Sequence, residues 1–129
     1  MQHLKLLVLA LLFPLFTYAQ DDHIGDWKID YTDENGMMQS TKLSIASNGT
    51  YTIDFGMNSN IEVKGNYEMA DDKMTIWDTE GEYACIGEDK KGVYRVSVSS
   101  GSLTMTRISD GCPQRGSPEG IMTFQRIGS

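Results

Sequence analysis

The sequence predicts an all-β fold: eight antiparallel strands wound up and down as a meander, closed into a β-barrel and braced by one disulfide. Three observations carry this expectation. Apolar and polar residues alternate with period two through nearly every segment after residue 24, with no helical periodicity of useful length. Mostly short, turn-rich connections join the segments, which makes sequential strands antiparallel neighbours. The two cysteines, Cys85 and Cys112, fall in the fifth and seventh connections. Odd-numbered connections of a meander share one end, so that bond closes without distortion. A two-sheet sandwich is the competing architecture; closure is preferred because it leaves no exposed edge.

The first strand, residues 25–32, sets Trp27, Ile29 and Tyr31 on one face against Lys28 and Asp30. Asp33-Glu34-Asn35-Gly36 turns the chain into the second, 37–46, with Leu43 and Ile45 inward. Ser47-Asn48-Gly49 is a hairpin signal. The third, 50–55, has Tyr51, Ile53 and Phe55 inside and Thr52 and Asp54 outside. The fourth, 61–69, points Ile61, Val63, Tyr67 and Met69 inward against Glu62, Lys64, Asn66 and Glu68. Gly65 takes an inward place, where a missing side chain lets a barrel strand bend. The fifth, 74–78, has Met74 and Ile76 inside and Trp77 outside. The sixth, 92–99, and seventh, 103–108, carry Tyr94, Val96, Val98, Leu103 and Met105 inward. The eighth, 121–127, aligns Met122, Phe124 and Arg126.

Residues 1–19 read as a secretory signal: Lys5, an apolar run from Leu6 to Phe16, and small residues before a cut after Ala19. The run is shorter than the roughly 20 residues of a transmembrane helix, and no cysteine follows it for a lipid anchor. An uncleaved anchor or buried first helix is the alternative. Residues 20–129 then form one barrel domain, secreted or periplasmic, with no membrane anchor after cleavage. Cleavage removes Lys5 from 11 basic residues, leaving 10 against 18 acidic, a net charge of −8. That balance repels phosphate backbones and excludes nucleic acid as a partner. Two cysteines in an exported chain read as one disulfide. It closes a loop of about 28 residues, worth about 3–4 kcal/mol by chain entropy.

Gly25-Asp26-Trp27 opens the first strand and Arg126 lies near the end of the last. This combination resembles the lipocalin-like domains of the calycin superfamily, in particular the compact bacterial secreted type. The resemblance implies an eight-stranded barrel whose arginine packs over the tryptophan and closes the bottom. Barrel closure independently makes the first and last strands neighbours. Trp27 and Arg126 would then form a cation–π contact worth about 0.5–2 kcal/mol, a structural pair in either reading. The chain is shorter than the larger lipocalins and lacks their later Thr-Asp-Tyr motif. It is also similar to bacterial inhibitors of secreted metalloproteases, which act through an N-terminal tail; here that tail is only residues 20–24.

The chemistry expected is binding. No catalytic residue, metal site or cofactor is assigned, because His23 is the only histidine left after cleavage and both cysteines are paired. The acidic run Asp78, Glu80, Glu82, Glu88 and Asp89 lacks the spacing of a calcium loop and reads as solvated surface. The disulfide end carries the longer loops and is the expected open mouth. Candidate ligand-binding residues there are Tyr31, Phe55, Asp78, Tyr83 and Arg107, with Met37, Ile61 and Ile86 nearby. Arg107, in step with Leu103 and Met105, either latches to Asp78 or holds a carboxylate ligand; the latch is preferred. Trp77, outward on the fifth strand, is covered by the tail or marks a partner surface, or is a single exposed aromatic that needs no function. Asn48-Gly49-Thr50 matches a glycosylation acceptor as well as a hairpin turn.

The expected function is therefore a non-enzymatic barrel binding a small apolar or amphipathic molecule at its open end. One competing reading is an exported-protein partner, such as a hydrolase inhibited through the loops or tail. The other is a structural barrel filled by Trp27, Tyr51, Phe55, Tyr67, Tyr94 and Phe124.

Overall fold

A computed structural model describes residues 22–128, so the signal-peptide expectation lies outside the described residues. Eight strands follow one another: β1 (Gly25–Thr32), β2 (Met38–Ile45), β3 (Thr50–Phe55), β4 (Val63–Ala70), β5 (Lys73–Glu80), β6 (Gly92–Ser99), β7 (Ser102–Asp110) and β8 (Ile121–Arg126). Each pairs with the next in sequence, and β1 pairs with β8 to close the barrel. All the pairings are antiparallel. A single 3-10 turn, Glu88–Lys90, is the only helical element among the described residues, and none of their helices is long and apolar enough to cross a membrane.

Local chemistry explains the tight end. Ser100 and Gly101 both take positive φ (51° and 80°), the pattern of a two-residue hairpin loop whose twist matches its strands. Asn48 accepts hydrogen bonds from the Thr50 N–H at 3.2 Å and its hydroxyl at 2.7 Å, fixing the β2–β3 turn. Trp27, Tyr94 and Leu103 are fully buried, and Leu43, Ile45, Val63, Met74, Ile76, Met105 and Phe124 continue the core around them.

Trp27 and Arg126 pair in register across the closing seam, and the guanidinium sits 4.1 Å from the indole ring. Arg126 also donates to the Asp22 carbonyl at 2.7 Å and the Ile24 carbonyl at 3.1 Å. Trp27 Nε1 donates to the His23 carbonyl at 2.9 Å. Gly25 (φ 138°) is required here: a Cβ would fall 2.6 Å from Arg126 Nη1. Residues 22–24 are thus folded against the floor of the barrel.

Two one-residue bulges break the strict alternation. Gly65 faces Asp78 but Lys64 faces Glu80, which leaves Thr79 as the extra residue of β5. Tyr94 faces Arg107 but Val93 faces Ser109, which leaves Ile108 as the extra residue of β7. Each bulge reverses the faces that follow it. Asp110 consequently lies opposite inward-facing Gly92, where an unbroken alternation would turn it out.

Several expected orientations are corrected at the mouth. β4 begins at Val63, so Ile61 lies in the connection and is 40% exposed, while Glu62 is buried at 5%. The Glu62 carboxylate turns back to accept the Phe55 N–H at 3.0 Å. Asp54, expected outside, is buried because its carboxylate accepts the N–H groups of Asn58 (3.1 Å) and Ser59 (2.8 Å), folding the loop over it. Met37 lies before β2 and is exposed. Trp77 does point outward, and Lys91 Nζ covers it at 5.1 Å from the ring centroid.

Candidate functional site

The barrel is hollow at the disulfide end, where a cavity of about 580 Å³ opens among the odd-numbered connections. Its deep walls are apolar, from Leu43, Ile45, Ile53, Val63, Met74 and Ile76 on one side to Met105, Met122 and Phe124 on the other. Tyr31, Phe55 and Tyr83 stand at the mouth, and residues 114–119 of the β7–β8 connection complete the rim. Of the six large side chains of the filled-barrel alternative, Trp27, Tyr51, Tyr67, Tyr94 and Phe124 are buried in the core, and the cavity lies beside them. Trp27 lies at the floor, and Phe55 is at the rim, packed edge-on against Tyr83 at 6.0 Å between ring centroids.

Beside these walls lies a buried polar cluster built twice over on one plan. Tyr51, Gly65 and Asp78 face inward side by side on β3, β4 and β5. Gly65 has no side chain, so the Tyr51 ring crosses it and the phenol hydroxyl donates to Asp78 Oδ1. Asp78 Oδ2 accepts the Cys85 N–H at 2.8 Å. On the neighbouring wall, Tyr94 donates to Asp110 Oδ2 at 2.6 Å, and Asp110 Oδ1 accepts the Cys112 N–H at 2.8 Å. Gly92 leaves the needed room, since a Cβ there would lie 2.7 Å from Asp110 Oδ2 and 3.0 Å from the Tyr94 ring.

Arg115 joins the two halves. Its Nη1 donates to Asp110 Oδ1 at 2.7 Å and to the Lys90 carbonyl at 2.8 Å, while Nη2 lies 3.4 Å from Asp78 Oδ2. The pairing of β5 with β6 stops at Ile76–Gly92, which opens the wall where this cluster and the disulfide Cys85–Cys112 sit. The disulfide therefore ties together the two cysteines whose own backbone amides hold the two aspartates. Burial first, and the hydrogen bond to Asp78 second, push the Tyr51 hydroxyl well above the ordinary tyrosine range. Burial and the Asp110 hydrogen bond do the same to Tyr94.

Four of the five residues expected to bind a ligand line this cavity: Tyr31, Phe55, Asp78 and Tyr83. Arg107 is not among its lining residues. Its guanidinium lies against Gly120 and reaches the Pro118 carbonyl at 3.5 Å. The expected latch is corrected too, because Asp78 pairs with Arg115. Sequence reasoning missed Arg115 and Asp110. The available signal was Asp110-Gly111-Cys112, an aspartate two residues before a bridged cysteine, with a lone arginine three residues beyond.

No group of three or more His, Cys, Asp or Glu side chains among the described residues is placed to hold a metal ion. His23, the one histidine in that region, is buried at the floor, edge-on to Tyr67. Fold and site together define a closed eight-stranded antiparallel barrel with a hollow, apolar interior and one polar wall. No protein-family profile and no curated protein sequence matches the chain.

Proposed function

We propose that this chain is an exported, non-enzymatic carrier with a lipocalin-like barrel, and that it takes up a small apolar or amphipathic molecule through its disulfide-braced mouth. One observation carries the reading: the apolar cavity of about 580 Å³ falls within the range of about 300–1,000 Å³ that small-molecule pockets occupy. The Trp27–Arg126 floor supports kinship with the calycin superfamily. The disulfide and the signal-like leader support an oxidising compartment, secreted or periplasmic. The deciding experiment is mass spectrometry of small molecules retained by protein purified from its native source, alongside uptake of a neutral fluorescent apolar probe. Retained ligand or saturable uptake supports the carrier; an empty protein that takes up no probe overturns it.

A second reading, docking of an exported protein at the mouth, is favoured by a separate observation. Every exposed large apolar side chain among the described residues lies at this end, including Met37, Met38, Tyr83, Ile86 and Ile121. Capture of a partner from the native secretome that Tyr83→Ser and Ile86→Ser abolish would support this reading.

A further inference from the structure

Resting on the carrier reading, we infer that the cavity selects an amphipathic ligand with a neutral, oxygen-bearing head, such as an alcohol or primary amide, seated on Arg115 and rejects the corresponding carboxylate. Arg115 lines the cavity with its side chain only 9% exposed. Its Nη2 is buried with no hydrogen bond, although Asp78 lies 3.4 Å away. A buried donor left without a hydrogen bond is costly, and an acceptor oxygen that displaces the side chains covering Nη2 from the cavity side removes that cost.

Charge decides which acceptor. Two aspartates, Asp78 and Asp110, flank the one guanidinium, so the cluster carries a formal charge of −1. Glu119 is the only other charged residue lining the cavity, and it adds a second negative charge. An anionic head seated on Nη2 would lie against the Asp78 carboxylate in a poorly solvated site, where like charges repel most strongly. A cationic head offers no acceptor to Nη2. A hydroxyl or primary amide accepts from Nη2 and donates back to Asp78 Oδ2, answering both groups. The apolar lining, Met105, Met122 and Phe124 among it, takes the alkyl part.

The test is displacement of the neutral probe N-phenylnaphthylamine from the intact, oxidised protein by decanol, decanamide and decanoate at about pH 7.5, where an ordinary carboxylate is ionised. Decanol and decanamide should displace it at concentrations at least ~10-fold below decanoate, the size expected of a charge-assisted hydrogen bond. Simple partitioning also favours decanol, so the informative quantity is how the decanol-to-decanoate ratio moves. Asp78→Asn at the cavity wall and Asp110→Asn behind it each remove one negative charge, and each should improve decanoate relative to decanol several-fold. Arg115→Met, read on protein whose circular dichroism shows it folded, should weaken decanol more than it weakens the probe. Decanoate binding as tightly as decanol, or a ratio unmoved in both asparagine variants, overturns the head-group assignment while leaving the carrier intact. A protein that takes up no probe at all overturns both.

Discussion

Tyr51 and Asp78 meet across a strand that separates them, and they do so because Gly65, between them, has no side chain to keep the phenol from the carboxylate. A methyl group on Gly65 would collide with the Tyr51 phenol and stand 2.6 Å from the Trp77 carbonyl. Gly65→Ala should therefore destabilise the barrel by about 1–3 kcal/mol, the usual cost of overpacking. Adding Tyr51→Leu should recover only part of this, because the clash with the backbone remains. Urea midpoints of the two variants check both statements.

Arg115 is the sole cation between two buried carboxylates. Arg115→Met should cost about 3–5 kcal/mol by leaving buried charge without a partner. Asp110→Asn in the same chain should return part of it, so the double variant should melt above the single one.

Alkaline pH should loosen the same wall. Tyr51 and Tyr94 have folded pKa values raised by burial and by their aspartate partners. The folded state thus keeps phenolic protons that the unfolded chain releases above about pH 10. Their contribution is complete below that point and declines as pH rises beyond it. Urea midpoints taken stepwise to about pH 12 should fall, and Tyr51→Phe should start lower but fall less steeply.

Reducing Cys85–Cys112 should lower stability by about 3–4 kcal/mol without changing strand order, since the floor does not depend on that bond. Hydrogen exchange reads both ends at once. The Cys85 and Cys112 amides, held by Asp78 and Asp110, should exchange faster, while the backbone around Trp27 and Arg126 keeps its protection.

Arg126→Met removes the cation over Trp27 and both hydrogen bonds to the tail carbonyls. A loss of about 1–2 kcal/mol and faster exchange at residues 22–25 should follow.

Strand number and winding were legible in the period-two alternation and the position of connections, the disulfide in a lone cysteine pair, and the Trp27–Arg126 floor in the family resemblance together with barrel closure. The polar wall was not. Its Asp110 is turned inward by the single-residue bulge at Ile108, and nothing in an alternating pattern marks where an extra residue is tolerated. With the seventh strand expected over 103–108, Asp110 falls in the connection after it, where alternation assigns no facing, and its meeting with Arg115 stays hidden. Glu62 and Asp54 misled for a related reason: Glu62 turns back onto the β3 amide of Phe55, and loop amides fold over Asp54, tertiary events that local patterning does not record. Gly65 was recognised as an inward gap, but its occupant, Tyr51, sits fourteen residues earlier.

Asp22 and Arg126 are hydrogen-bonded to each other at the floor, so the chain enters and leaves the barrel on the side away from the mouth. Anchoring the protein to a bead or a sensor chip at Asp22 or beside Arg126 would leave the cavity facing free solution. Attachment through the β7–β8 connection, whose residues 114–119 form part of the rim, would put the tether across the opening.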